Sequence, residues 1–190
     1  VLFRSKLATI RKISSIDPIP DADAIEVATV DGWKVVVKKG EYKVADLVVY
    51  CEIDSWIPTE LAPFLSKGKE PREYNGVKGE RLRTVKLRGQ ISQGLILPIP
   101  SGEHFDDGRL AFEFSMGNIK EGEDISDILG IQKYEAPIPA CLAGTVRGNF
   151  PSFIPKTDQE RIQNLTKKFD SYKDLQFETT EKLDGSSDRK

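Results

Sequence analysis

Residues 25 to 37 read Ile25-Glu26-Val27-Ala28-Thr29-Val30-Asp31-Gly32-Trp33-Lys34-Val35-Val36-Val37. β-Branched residues alternate with smaller or polar ones up to Val30, Asp31-Gly32 breaks the run, and a second β-rich run returns. Two strands joined by a two-residue Asp-Gly turn make a β-hairpin. The flanks repeat the pattern. Leu7-Ala8-Thr9-Ile10-Arg11-Lys12-Ile13 predicts a strand closed by Asp17-Pro18-Ile19-Pro20-Asp21. Lys39-Gly40 predicts a turn, and Leu47-Val48-Val49-Tyr50-Cys51-Glu52-Ile53 suits a strand buried on both faces. Arg81 to Arg88 alternates until Gly89-Gln90, and Gly94-Leu95-Ile96-Leu97-Pro98 follows. Five or six short strands with glycine turns and few helices predict a small closed barrel. Residues 101 to 130 read as loop with one short helix near Ile125 to Leu129, ended by Gly130.

The texture changes after Glu135. Pro137, Pro139, Pro151 and Pro155, with Gly144 and Gly148, predict an extended connector over 136–156. Thr157-Asp158-Gln159-Glu160 matches a helix capping box, and Ile162, Leu165 and Phe169 share one helical face. Residues 158 to 169 therefore read as one amphipathic helix. Gln176-Phe177-Glu178-Thr179-Thr180-Glu181-Lys182-Leu183 then reads as a strand running into the turn Asp184-Gly185-Ser186-Ser187. A lone strand cannot satisfy its own hydrogen bonds. The expected organisation is a barrel over 1–135, a connector over 136–156, and over 157–190 the incomplete start of a second domain, so that the chain reads as an N-terminal fragment.

Composition bounds the function. The 190 residues are 38% hydrophobic and 31% charged, with Lys+Arg 28 against Asp+Glu 30 and a net charge of -2. That excludes a globally basic coat but leaves room for a local basic patch. Two cysteines, Cys51 and Cys141, argue against a disulfide framework or a cysteine-type zinc site, and a single histidine, His104, excludes a multi-histidine metal site within the chain. No apolar run approaches the length of a membrane span. The expected setting is soluble, reducing and cytoplasmic, and the expected state a monomer. The acidic stretch Glu103, His104, Asp106, Asp107 reads as a solvated loop, and no metal ligand set is expected among these residues. Trp33, Trp56 and Cys51 read as core.

Glu181-Lys182-Leu183-Asp184-Gly185-Ser186-Ser187 holds Lys-x-Asp-Gly at a strand end, after a helix, a loop and a barrel. This string resembles motif I of the covalent nucleotidyltransferases: RNA and DNA ligases and capping enzymes. With Lys156-Thr157-Asp158 and Arg161-Ile162-Gln163-Asn164 upstream, the match is closest to ATP-dependent RNA ligases with an N-terminal OB domain, the Deinococcus-type or family 5 ligases. The resemblance spans nearly the whole chain. It ends at Asp188-Arg189-Lys190, where the family continues with an apolar strand and this chain is fully charged. It implies a mostly β fold: an OB-fold-like barrel, a linker, then the first helix and strand of an α+β nucleotidyltransferase domain.

The resemblance also implies the chemistry. Lys182 is the nucleophile that attacks the α-phosphate of ATP, expels pyrophosphate and forms lysyl-AMP. AMP then passes to an RNA 5′-phosphate, and a 3′-OH displaces it to seal the strand. An ordinary lysine, with a pKa of about 10.4, is neutral about once in a few thousand molecules at pH 7. Neutrality therefore requires a downward shift of about 3 to 4 units, supplied by burial or by a nearby Mg²⁺ or Mn²⁺ held by later motifs. Glu181 corresponds to the residue that contacts adenine. Asp184 and Gly185 complete the motif turn, and Ser186 and Ser187 fall where related ligases contact ribose. Arg161 and Asn164, with Gln163, approach the nucleotide or support the motif strand; a polar helix face is the alternative. The implied partner is RNA, as nicked duplex or broken ends in RNA repair.

Lys78-Gly79-Glu80-Arg81-Leu82-Arg83-Thr84-Val85-Lys86-Leu87-Arg88-Gly89 carries five positive charges against one negative. Lys78, Arg81, Arg83, Lys86 and Arg88 are candidate phosphate contacts for RNA. Alternation places Arg81 and Arg83 on one face and Lys86 and Arg88 on the other unless a bulge intervenes. A solvated edge strand guarded by charge explains the same residues. Thr84 to Leu95 and Pro20 to Ile25 also resemble the tRNA-binding OB domains, so a non-catalytic OB module that binds tRNA or other RNA is the alternative function. Residues 157 to 187 fit only the ligase.

Overall fold

The computed structural model describes residues 6–99, 120–136 and 161–178. Its centre is a five-stranded antiparallel sheet, nearly closed into a barrel. The strands are β1 Ala8–Pro18, β2 Ile25–Val30, β3 Trp33–Lys38, β4 Leu47–Cys51 and β10 Leu95–Leu97, in the order β10-β4-β1-β2-β3. The sheet curls because β1 is long and bulged. Its first half pairs with β4, from Ala8 opposite Cys51 to Lys12 opposite Leu47. Its second half pairs with β2, and the register slips between Ile13 and Ser15. The extra residue, Ser14, donates its hydroxyl to the Thr29 carbonyl at 2.9 Å. One bulged strand thus serves two neighbours and bends the sheet between them. The far edges meet through Gln93 N–H to the Lys34 carbonyl at 2.8 Å and Val36 N–H to Ser92 Oγ at 3.0 Å.

The hairpin read from the sequence is present, with Val30 opposite Trp33. Asp31 takes a φ of 51°, a left-handed conformation that a short polar residue tolerates. A second sheet of β5 Ser55–Pro58, β6 Arg72–Tyr74, β7 Val77–Arg81 and β11 Gln132–Lys133 flanks the barrel in the order β11-β5-β7-β6. β8 Val85–Leu87 and β9 Gln90–Ser92 form a separate two-stranded ribbon, which touches the barrel where Ser92 meets β3. Its turn places Arg88 at φ 48° and Gly89 at φ 82°, the two positive values of a type I′ hairpin.

Burial on both faces of β4 follows from two cores. Val48 and Tyr50 enter the barrel with Ile13, Val30, Trp33 and Val35. Val49 and Cys51 point the other way, to Ile10, Ile57, Ile125 and Ile131. Both tryptophans are core residues, as expected. Trp33 stacks on Tyr50 at 5.9 Å. Trp56 packs with Tyr74 and Tyr134, whose own rings are 5.0 Å apart. Glu135 N–H donates to the Tyr74 hydroxyl at 3.1 Å, which ties down the chain as it leaves this sheet.

The Cys51 thiol is fully buried, and burial pushes its pKa up to about 12. Thiolate is the reactive form, so Cys51 is expected to be inert in the folded chain. In a Cys141→Ser variant, disulfide-exchange reagents should label nothing in buffer and one thiol after denaturation. Stoichiometric labelling in buffer would show that β4 opens locally.

Three expectations change. Arg81 to Arg88 is not one strand: β7 ends at Arg81, and β8 begins only at Val85. Leu82 causes the break, because its buried side chain belongs to the core beneath and its backbone pairs with Ser55. Residues 125 to 130 form a turn closed by Leu129 N–H to the Ile125 carbonyl, with Gly130 at φ 64°, and not a helix. Ile162–Lys168 is a 3-10 helix followed by a single α-turn, Phe169–Tyr172, and not one amphipathic α-helix. Ile162 is 65% exposed and Phe169 45%, so the apolar stripe that would have favoured an α-helix is not buried here. The proposed capping box and residues 103–107 lie outside the described residues, as do 179–183 of the proposed strand; Gln176 to Glu178 are described and form no strand. Among the described residues, no helix is long and apolar enough to cross a membrane.

Candidate active site

Arg161, Gln163 and Asn164 are the candidate nucleotide residues that the structure describes. Glu181, Lys182, Asp184, Gly185, Ser186 and Ser187 lie outside the described residues. The segment from Arg161 to Asn164 sits on the tip of the β2–β3 hairpin. Gly32 N–H donates to the Gln163 carbonyl at 3.2 Å. A Cβ on Gly32 would stand 3.0 Å from Gln163 Cα, so glycine makes this approach possible. The indole N–H of Trp33 donates to Asn164 Oδ1 at 2.7 Å, and Asn164 Nδ2 donates to Glu52 Oε1 at 2.8 Å. An indole only donates and a carboxylate only accepts, so these two neighbours fix the orientation of the amide.

Arg161 is extended, with φ −73° and ψ 140°, and its guanidinium lies 5.6 Å from the Trp33 ring. Asn164 N–H donates to the Arg161 carbonyl at 2.8 Å, so the two residues form one turn. Arg11 lies 5.5 Å from the Tyr50 ring and pairs with Asp31 beside the hairpin tip. Burial raises the Tyr50 hydroxyl above its ordinary pKa, and the Glu52 carboxylate adds to this; Arg11 and Arg161 act in the opposite direction. The site is thus a half-buried polar shelf of alternating charge on the end of a barrel.

This geometry separates the two candidates. The Arg161 guanidinium is held by a ring face, which leaves its planar donors suited to phosphate. The amide of Asn164 is oriented toward the barrel by Trp33 and Glu52. Sequence reasoning missed Trp33 and Glu52 themselves. No local pattern links them to a segment 131 and 112 positions away. Among the described residues, no group of three or more His, Cys, Asp or Glu side chains could hold a metal ion.

The five basic candidates fall on different elements. Arg81 donates to Asp54 Oδ1 through Nε at 3.0 Å and Nη2 at 2.6 Å, and lies 4.8 Å from the Tyr134 ring. Lys78 is exposed in the second sheet, opposite Glu73. Arg83, Lys86 and Arg88 are exposed at or near the β8–β9 ribbon, beside the exposed apolar residues Val85, Leu87 and Ile91. Lys86 faces Ile91 across the ribbon.

Comparison with known proteins gives a consistent picture. A family model described as an OB-fold domain matches residues 7–99. A search of curated proteins found no match. Among solved structures, Naegleria gruberi RNA ligase with PPi is 46% identical, with a TM-score of 0.67, over 88% of this chain and 47% of that one. A glutamate-to-alanine mutant of the same ligase with AMP and Mn is 47% identical, with a TM-score of 0.69, over 89% of this chain and 47% of its own. A lysine-to-alanine mutant with ATP and Mn is 47% identical, with a TM-score of 0.67, over 87% and 46% respectively. The chain spans just under half the length of these relatives. By its barrel the chain carries an OB-fold domain, and over nearly nine-tenths of its length it is similar to an RNA ligase of Naegleria gruberi.

Proposed function

We propose that this chain contributes the barrel and the nucleophile motif of an enzyme that joins RNA 3′-OH and 5′-phosphate ends through lysyl-AMP. One observation carries the reading. The solved relatives include mutants of an arginine, a lysine and an aspartate, spaced along their chain as Arg161, Lys182 and Asp184 are spaced here. Relatives bound to ATP, AMP, PPi and Mn supply the substrate, product and metal class.

The steps balance as three displacements at phosphorus. The Lys182 amine attacks the α-phosphorus of ATP, the N–P bond forms, pyrophosphate leaves and the nitrogen gives up a proton. A 5′-phosphate oxygen of RNA then attacks the same phosphorus, and the lysine leaves and regains its proton. Finally the 3′-OH attacks the RNA phosphate, loses its proton and expels AMP. A divalent metal, when bound, neutralises charge on the departing pyrophosphate. Arg161, presented on the Trp33 face, meets phosphate oxygens by charge and fork geometry. Glu181, Ser186 and Ser187 bind adenine and ribose, and Gly185 lets the backbone approach the nucleotide. Incubating the complete protein with α-labelled ATP and Mn²⁺ tests the reading. A covalent protein label that is released as AMP on adding 5′-phosphorylated RNA supports it, and the absence of any label counts against it.

RNA binding is assigned to Arg83, Lys86 and Arg88, with Lys78 as a separate contact. Arg81 contributes little, because its charge is already met by Asp54. Arg83→Ala with Arg88→Ala should weaken RNA binding. The slope of log K against log salt should flatten by about 0.7 to 0.9 for each phosphate that the variant no longer neutralises. Arg81→Ala should leave that slope unchanged and lower stability instead. The opposite ranking would show that Arg81 leaves Asp54 to meet RNA.

A further inference from the structure

We propose that Trp33 and Glu52 of the barrel are positioning residues for adenylyl transfer, acting through the Asn164 amide to hold Arg161 in place. The inference rests on the ligase reading above and assigns the barrel a part in the first chemical step, separate from RNA binding.

Trp33 lies in the barrel core at 1% exposure, where phenylalanine would serve if packing were the only demand. Its one polar side-chain atom, Nε1, is aimed outward at Asn164 Oδ1. Asn164 in turn meets two opposite demands. It must accept from an indole and donate to a carboxylate with one short planar group. Aspartate would set a second negative charge against Glu52, and leucine would leave the indole N–H without its partner. Asn164 is three residues past Arg161, and its backbone N–H closes a turn onto the Arg161 carbonyl. Gly32 N–H holds the Gln163 carbonyl between them. Fixing Asn164 therefore fixes the backbone of Arg161, and the Trp33 ring then fixes its guanidinium. A displacement of about 1 Å in a phosphate-binding group can cost about a hundredfold in rate, so this seat bears on chemistry.

The test uses the complete protein and measures lysyl-AMP formation from α-labelled ATP with Mn²⁺. Asn164→Asp should lower kcat for this step by about 10- to 100-fold while KM for ATP changes by less than about threefold. Adding Glu52→Gln should restore kcat, because the chain of bonds re-forms with its polarity reversed: the new glutamine amide donates to the new carboxylate, which still accepts from Trp33. Trp33→Phe keeps the ring and removes the N–H; it should reproduce the loss with a melting temperature within a few degrees of wild type. Wild-type kcat in both Asn164→Asp and Trp33→Phe would overturn the proposal, as would an Asn164→Asp defect that Glu52→Gln does not repair. A wild-type protein that takes no label would overturn the ligase reading, and this inference with it.

Discussion

Lys182→Ala is expected to leave the complete protein unable to form a covalent adduct with ATP, with labelling reduced to background. The adduct is a bond from a side-chain nitrogen to phosphorus, and alanine has no atom that can form it. Other lysines do not substitute. At ordinary pKa only about one in a few thousand is neutral at pH 7, and attack also demands alignment opposite the departing pyrophosphate. Lys182→Arg should fail equally, because a guanidinium stays charged at any working pH. Sealing of RNA that already carries a 5′-adenylate should survive better than the whole reaction, since that substrate enters after the lysine has acted. A Lys182→Ala protein that labels like wild type would move the nucleophile elsewhere in the chain.

Gly94→Ala should destabilise the barrel by about 3 to 5 kcal/mol, a large share of a typical folding margin of about 5 to 15 kcal/mol. Two independent faults coincide there. Gly94 holds φ at +117°, where an alanine is strained. Its Cβ would also stand 2.5 Å from Tyr50 Cε2, 2.8 Å from the Tyr50 hydroxyl and 2.9 Å from the Cys51 carbonyl. Tyr50 has nowhere to go. Its ring is fully buried against Trp33, and its hydroxyl donates to the Gln93 carbonyl at 3.0 Å. Gly40→Ala is the control. Its φ is +75° but nothing lies within 4 Å of the added methyl, so only the backbone term of about 1 to 2 kcal/mol remains. Urea denaturation of both variants separates the terms. Equal losses would mean that Tyr50 yields and that the core is softer than its packing implies.

The strands that were legible in the sequence are those whose signals are local. Asp31-Gly32 between two β-rich runs specifies its hairpin because turn and pairing partners are neighbours in the chain. Val48 to Cys51 was legible as doubly buried because an unbroken apolar run fits no half-exposed strand, although Leu47 at the start of the run is exposed. The Lys-x-Asp-Gly string at 182–185 is likewise a local signal, carried by residue types close together in the chain. Where local signals competed with tertiary demands, the tertiary demands won. The alternation from Arg81 to Arg88 continues through Leu82, yet that residue is drawn into the core and splits the run into two strands in different sheets. The charge of Arg81 looks available in sequence, but it is met by Asp54 from a preceding turn. The helical spacing of Ile162, Leu165 and Phe169 was not enough to make an α-helix, because a short amphipathic segment gains its stability from a surface to pack on.

The role of the β2–β3 hairpin tip illustrates the same division. Periodicity and turn chemistry act over a few residues, and they settled most of the barrel's strands and the hairpin. The seat of Arg161 depends on an indole and a carboxylate that lie more than a hundred positions from the amide they hold. Hydrogen bonds between such groups leave no periodic trace, since each partner is an ordinary residue in its own neighbourhood. They exist only after β1 has bent through its bulge and carried the hairpin tip and the end of β4 to the same end of the barrel.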